Sequence, residues 1–274
     1  MAGDGVLTSE LNLLMPMLVP WAFTFALAMA RMSGVLLALP HTLSPRIPRL
    51  VKGVVAVSLA ASLVVAHGPT VSILGSPSPE MALASLALGD FIFGLAIGLF
   101  VHVGLAAVRL AGEVCGVEMG LSFAAVADPM SQDQTTPVAI IFGQVAIQAF
   151  FAMGLDRDVL YAVAQSVNVH PLGQAGVHLL TADQLALMGT QMFRTGLQIA
   201  MPLVGALFAL KLSIALLARV APKIQLFVLS FALTILLGHV LMVVAMPAIG
   251  AAVASHLTEM ADQVTRFALM SGDG

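Results

Sequence analysis

The sequence predicts an all-α, polytopic integral membrane protein. Of its 274 residues, 59% are hydrophobic and only 9% are charged, and the mean hydropathy is +1.03. Soluble domains are about 45–50% apolar and about 25% charged, so this composition could not cover a surface that faces water. The net charge of −3, without any basic stripe, also argues against binding of nucleic acid.

Six hydrophobic segments predict about six spanning helices, arranged as helical hairpins. A helix needs about 20 mostly apolar residues to cross the hydrocarbon core. The segments cover residues 11–39, 54–66, 91–108 (entered through 81–90), 138–155, 195–218 and 224–249. Prolines between them, such as Pro45, Pro77 and Pro222, break helices because proline lacks the N–H donor. The mixed apolar and charged tail at 252–267 is expected to form a surface helix.

The distribution of cations predicts an orientation. Lys and Arg favour cytoplasmic loops, and here they fall in alternate connections, namely Arg46, Arg49, Lys52, Arg109, Arg219 and Lys223. This pattern places the N-terminus on the periplasmic side. No basic region precedes the first segment, so we expect that segment to remain in the mature protein rather than to be cleaved as a signal.

The region 112–137 resembles neither a soluble loop nor a spanning helix. It reads GEVCGVEMGLSFAAVADPMSQDQTTP, with three glycines and two glutamates among apolar residues. Irregular backbone at membrane depth persists only where protein buries it or where it lines a wet cavity. Two interpretations stay open, a loop buried in this way and a cytoplasmic loop with an amphipathic turn.

Ionisable residues inside hydrophobic segments are costly and often functional. Lys211 must pair, extend to the interface or face water, which fits a helix buried in a larger assembly. Asp90 is expected near an interface or in an interhelical hydrogen bond, and His102 and His239 are expected to be hydrogen-bonded packing residues. Two further candidates are Arg31 and Arg194.

Motifs for catalysis are lacking in the sequence. It contains no HExxH zinc site, no GxSxG nucleophile elbow and no Walker A loop. Residues 87–90 read ALGD, which is similar to part of the GxGD motif of intramembrane aspartyl proteases. The first glycine of that motif is missing here, and no second intramembrane aspartate in a Tyr-Asp pair is present to complete the dyad. We therefore expect no catalytic residue, no metal site and no cofactor, and Cys115 is expected to serve packing.

Three stretches carry a family resemblance. The first is PHTLSPRIP at 40–48, followed by Lys52. The second begins with AVR at 107–109, continues through GE at 112–113 and MGLSFA at 119–124, and closes with DP at 128–129 and PV at 137–138. The third is RVAP at 219–222, followed by Phe227, Phe231, Leu233, Thr234 and Gly238. In this order they resemble the FliR/SctT family of type III secretion export-apparatus proteins over nearly the whole chain. The GLSFA…DP stretch is the most specific and is more similar to flagellar than to injectisome members.

The resemblance implies a non-enzymatic subunit of the flagellar type III protein export gate. Its partners would be FliP and FliQ subunits, with FlhB nearby, unfolded export substrates and membrane lipid. The location would be the bacterial inner membrane, in the flagellar basal body. Residues 1–180 would form a FliP-like portion with a plug-like loop at 112–137. Residues 181–274 would form a FliQ-like hairpin with a tail, within a single membrane domain.

The resemblance also implies that residues 112–124, which we call the gate segment, project into the channel as a plug. Glycines permit tight and reversible backbone conformations, and apolar side chains can close a narrow channel by excluding water. The candidate residues are Gly112, Gly116, Val117, Glu118, Met119, Gly120, Leu121, Ser122, Phe123 and Ala124. Glu118 is interpreted either as a gate-opening element or as a solvated loop charge. Arg219 and Pro222 would shape a cytoplasmic hairpin.

Two other functions stay open at this stage. An injectisome subunit of the SctT type would share the fold. A self-contained secondary transporter would need broken helices around a polar site near the membrane midplane, usually in paired repeats, and the sequence shows no such symmetry.

Overall fold

The structure is a computed structural model that describes residues 3–39, 48–69, 79–122, 135–175, 181–220 and 226–270. Within these ranges it contains seven α-helices and no β-strand, which confirms the all-α prediction. The helices are α1 (Gly3–Ala38), α2 (Arg49–His67), α3 (Pro79–Glu118), α4 (Pro137–Ala152), α5 (Leu155–Val169), α6 (Ala182–Val220) and α7 (Leu226–Leu269).

Five of these helices are long and apolar enough to cross a membrane, and α4 with α5 can count as one broken span. The total of up to six agrees with the sequence. The four longest helices have 36, 40, 39 and 44 residues. At a rise of 1.5 Å per residue they measure about 54–66 Å, roughly twice the hydrocarbon core.

The C-terminal tail is helical, as predicted, but one of its faces is buried rather than lying on the surface. Residues 252–267 continue α7 without a break, because neither proline nor a turn signal interrupts the chain after Gly250. Apolar residues recur every three or four positions in the tail, and their side chains are buried, namely Val253, Leu257, Met260, Val264 and Phe267. The tail is therefore part of the packed structure on one face and exposed on the other.

The described residues form two compact units. The first unit covers 1–102, 157–185 and 262–274, and its core contains the closest helix packing in this part of the chain. Gly94 and Gly98 lie four residues apart on α3, and a Cβ on either would collide with carbonyl oxygens of α1. Because neither residue has a side chain, the two helices touch backbone to backbone, as small residues allow within membranes.

The second unit covers 103–156 and 186–261, and glycines allow close contact between its helices as well. A Cβ on Gly112 would lie 2.7 Å from Cα of Ala139 on α4, and one on Gly196 would lie 2.9 Å from the carbonyl oxygen of Ala107 on α3. The last two turns of α3 are thus held directly against α4, and this contact positions the gate segment.

Because α1 and α3 touch backbone to backbone, a methyl group added at their contact should lower the stability of the protein, and one added elsewhere should not. We expect Gly94→Ala to lower stability by about 1–3 kcal/mol, because the added Cβ meets fixed backbone rather than a movable side chain. The measurement is the Tm of the detergent-solubilised protein. Gly53→Ala in α2 is the matched control, since nothing lies within 4 Å of a Cβ there. An equal loss of Tm in both variants would contradict the packing described here.

Candidate functional site

The first part of the gate segment is helical rather than an irregular loop. Residues 112–118 form the last two turns of α3, so the prediction of a loop from residue 112 is wrong for these positions. Gly112 and Gly116 serve close packing, not backbone flexibility. A Cβ on Gly116 would lie 2.6 Å from Cβ of Thr136. The sequence suggested a loop because glycine is common in both settings.

Gly120 is the glycine of the segment that does adopt a special conformation. Its φ is +80°, in the left-handed region that strains other residues. The N–H of Leu121 donates to the carbonyl of Gly116 at 3.0 Å, and the N–H of Gly120 donates to that of Val117 at 2.9 Å. This pair of bonds is a Schellman motif, which ends α3 sharply and sets the direction in which the chain leaves it.

The two residues that precede α4, Thr135 and Thr136, are hydrogen-bonded to α3. Both the backbone N–H and the hydroxyl of Thr136 donate to Oε2 of Glu113, each at 3.1 Å. Arg109 donates through Nη2 to the hydroxyl of Thr135, also at 3.1 Å. Thr136 in turn caps α4 by accepting from the N–H of Ala139, with Pro137 in the first helical turn. We call these four residues, Arg109, Glu113, Thr135 and Thr136, the base clamp.

Sequence reasoning missed the base clamp. Arg109 entered as a cation that marks a cytoplasmic connection and as part of a motif, and Glu113 entered only as part of a motif. The Thr-Thr-Pro at 135–137 carried a usable signal, because a threonine followed by proline is typical of a helix start. No sequence rule pairs that start with a carboxylate 23 residues earlier.

The remaining residues of the gate segment separate into inward and outward groups. Met119 is fully buried, and a Cβ on Gly238 of α7 would lie 2.9 Å from its Cγ. Val117 is 49% exposed, and Leu121 and Ser122 are half-buried. Met119 therefore anchors the turn inside this chain, while Val117 is available to contact other molecules. Phe123 and Ala124 lie outside the described residues.

The two charges expected in this region form a pair. Nζ of Lys211 on α6 lies 2.6 Å from Oε2 of Glu118, the last residue of α3. This confirms that Lys211 pairs, and it shows that Glu118 is not simply a solvated loop charge. Arg219 is exposed in the last turn of α6, and Pro222 lies outside the described residues.

A second ion pair lies in the first unit and is completely buried. Nε of Arg31 on α1 donates to Oδ1 of Asp90 on α3 at 3.0 Å, and Nη2 bonds the same oxygen. Arg31 also donates through Nη1 to the hydroxyl of Ser166 on α5 at 3.1 Å. A further bond runs from Nη2 to the carbonyl of His170 at 3.0 Å. Four of the five guanidinium N–H groups are thus satisfied.

The carboxylate and the surrounding rings complete this buried cluster. Oδ2 of Asp90 accepts from the backbone N–H of Gly173 at 2.7 Å. The guanidinium lies over the ring of Phe93, 5.0 Å from its centroid. The ring of His170 bonds the carbonyl of Met270 at 2.7 Å. Both charges hold helices together through these bonds, so the cluster suits a structural role.

The two histidines behave differently from each other. His239 is bonded to the carbonyl of Ile235 at 2.7 Å, as expected for a satisfied residue. Nδ1 of His102 is buried, and the part of the chain seen in the structure offers it no hydrogen-bond partner, which the expectation did not foresee. Among the described residues, no group of three or more His, Cys, Asp or Glu side chains could hold a metal ion.

Fold and site together define a class of protein, a polytopic all-α membrane protein whose described residues include a buried ion pair and a hydrogen-bonded junction between α3 and the start of α4. Comparison with known sequences makes the class specific. A family profile described as bacterial export proteins, family 1, matches residues 22–260. The chain belongs to this family.

Relatives of known name agree with that assignment. The flagellar biosynthetic protein FliR of Escherichia coli (strain K12) is 29% identical over 229 residues, 84% of this chain and 86% of the relative. FliR of Caulobacter vibrioides is 24% identical over 89% of this chain and 96% of its own length. The Yop proteins translocation protein T of Yersinia pestis is 26% identical over 57% of this chain and 60% of its own length. The chain is an export-apparatus subunit of the type III secretion class.

The buried ion pair predicts that the stability effects of replacing Arg31 and Asp90 depend strongly on each other. Arg31→Met should destabilise the protein by about 3–5 kcal/mol, because it leaves the Asp90 carboxylate buried without its partner. Replacing both residues, Arg31→Met with Asp90→Leu, should recover most of that loss, since no uncompensated charge remains. The measurement is the Tm in detergent together with the amount of protein in the membrane. Strictly additive effects of the two substitutions would refute the coupling.

Proposed function

We propose that this chain is the FliR-type subunit of a flagellar export gate, assembled with FliP and FliQ subunits in the bacterial inner membrane. Its gate segment closes the channel through which unfolded flagellar proteins leave the cell. The subunit is not an enzyme, and FlhB and other export-apparatus proteins act beside it. The observation that carries this proposal is the base clamp around the gate segment.

The base clamp gives the segment the mechanics that a plug needs. A plug must be fixed at its root, or it would diffuse away from the channel, and it must be free to move at its tip. Glu113 and Arg109 are hydrogen-bonded to Thr136 and Thr135, which precede α4, and Gly120 lies in the turn that ends α3. Twelve residues, 123–134, lie between the last described residue of the turn and Thr135. The described residues on either side of them, Ser122 and Thr135, both lie next to α3, the first directly after its final turn and the second bonded to Arg109.

The apolar character of the segment supports closure by excluding water. Val117 is exposed, and Leu121 and Phe123 follow it at every second to fourth position. A ring of apolar side chains blocks ions in a narrow channel without a covalent or charged barrier. Such a barrier also yields to an unfolded polypeptide, whose own side chains can replace the contacts.

Large apolar surfaces on α6 and α7 support assembly with other subunits. Side chains well exposed in the single chain include Phe193, Met201, Phe208, Leu216, Leu236, Val243 and Val244. Surfaces of this kind require lipid or a protein partner. Helices of about 60 Å exceed what lipid covers, so part of this surface is proposed to contact FliP and FliQ.

We propose that the two parts of the chain correspond to the two partner subunits. Residues 1–180 act as the FliP-like portion and 181–274 as the FliQ-like hairpin with its tail. The N-terminus lies on the periplasmic side, and Arg219 with Pro222 shapes the cytoplasmic turn of the hairpin. An injectisome subunit is the second candidate. The Yersinia relative covers less of the chain than the E. coli FliR does, which favours the flagellar assignment.

Shortening the tip of the gate segment should make the membrane leak. Deletion of residues 122–126 leaves α3 and the base clamp intact but removes the apolar tip. In cells that assemble the complete complex, we expect ion leakage to rise severalfold because water can enter the channel. The measurements are membrane depolarisation with a voltage-sensitive dye and copurification of FliP and FliQ with the tagged chain.

Deletion of residues 72–76, which lie in sequence between α2 and α3, is a control of equal length that should not leak. If the shortened gate segment assembles with FliP and FliQ and does not leak, the plug assignment fails. If the tagged native chain purifies alone and monodisperse, the assembly proposal fails and a self-contained transporter becomes the better explanation.

A further inference from the structure

We infer that a groove between α1 and α2 binds an anionic phospholipid, whose acyl chain lies in the groove and whose phosphate group contacts Lys52. Both helices belong to the first unit. The inference goes beyond the proposed function, because it requires neither the plug nor any particular export substrate.

The groove has the size and the lining of a site for an apolar chain. Its volume is about 350 Å³, and pockets that hold small ligands measure about 300–1,000 Å³. The hydroxyl of Ser33 donates to the carbonyl of Ala30 at 2.8 Å, so this polar group is already satisfied within α1. We call the site the hairpin groove, and its lining includes Met29, Ser33, Leu36 and Leu37 of α1 with Lys52 and Gly53 of α2.

Gly53 keeps the hairpin groove open. It is exposed on α2, and no atom of the described residues lies within 4 Å of the position that a Cβ would take there. Gly34 on α1 is different, because its Cβ would lie 2.7 Å from the backbone nitrogen of Leu95 on α3. The described helices therefore pack tightly at Gly34 but not at Gly53, and a larger side chain at position 53 would take up space in the groove.

Lys52 lies where the hydrocarbon core gives way to lipid headgroups. It is in the first turn of the candidate span Leu50–His67, and it shares the groove with Leu37, at the end of the span Leu18–Ala38. A lysine near the end of a span can bury its methylenes and still reach the headgroups with its ammonium. Met29 lies eight residues before Leu37, about 12 Å deeper along α1. The hairpin groove thus extends from headgroup level into the hydrocarbon.

Charge favours an anionic headgroup over a neutral one. The first turn of α2 contains two cationic residues, Arg49 and Lys52, and no acidic residue. The start of a helix itself carries partial positive charge, which adds to theirs. A phosphate group at Lys52 reduces the repulsion among these charges.

A phospholipid of the surrounding membrane meets both requirements in one molecule. An apolar groove that ends at a lysine fits a ligand with a long apolar chain and a negatively charged head. The neighbouring surface of α2 is also apolar and well exposed, as at Leu50 and Val54, so lipid can enter the groove from the side.

The test uses the tagged native protein, with the subunits that copurify with it, in vesicles that contain a phospholipid with a photoreactive diazirine in its acyl chain. Mass spectrometry measures how much lipid is attached to the residues of the hairpin groove. Phosphatidylglycerol should label them about fivefold more than phosphatidylcholine, the ratio expected when one cation meets an anionic headgroup. Lys52→Met should lower labelling by phosphatidylglycerol to the phosphatidylcholine level, whereas Lys52→Arg should preserve it.

Two further variants test the apolar part of the site. Gly53→Leu should lower labelling by both lipids, because its side chain takes the space of the acyl chain. Gly189→Leu in α6 is the matched control and should change neither, since the described residues leave open space around a Cβ there too. Equal labelling by the two lipids in the native protein, or no response to Lys52→Met, would refute the anionic site. Absence of labelling by either lipid would mean that a protein surface covers the groove, and it would overturn the inference.

Discussion

The guanidinium of Arg31 lies in the middle of an apolar helix and is entirely buried, so the fold of the first unit must bring a carboxylate and several acceptors to it. Asp90 supplies the charge, and Ser166 and the carbonyl of His170 accept further N–H groups. These contacts specify α1, α3 and α5 at once. The glycines of α3 then allow the close approach that the bonds require. One costly charge thus determines which helices are neighbours.

The second unit contains an ion pair of a different kind, which is exposed rather than buried. In the second unit the pair Lys211–Glu118 is half-exposed and lies at the C-terminal end of α3. In the same unit, the base clamp joins the last turns of α3 to the residues that precede α4. The first unit thus contains a fully buried ion pair that fixes helix packing, whereas the second contains an accessible ion pair and a hydrogen-bonded helix junction.

Hydropathy alone predicted the fold class and nearly every span, because burial in lipid or protein leaves a strong one-dimensional signal. It placed the ends of α3 and α7 wrongly because Gly112, Gly116 and Gly250 look like breakers in sequence. In the structure the first two permit helix contact and the last is simply tolerated. Arg31, Asp90 and Lys211 were recognisable as costly residues. Their partners were not, since pairing depends on which helices meet in space rather than on spacing along the chain.

The most direct test is photo-crosslinking from the gate segment during export. A photoreactive amino acid at position 121 or 123 should link the subunit to an export substrate arrested in the channel. The same amino acid at Val65, which is 79% exposed on α2, should not reach the substrate. Substrate crosslinks from 65 but none from 121 or 123, in a complex that contains FliP and FliQ, would contradict the claim that residues 112–124 close the export channel.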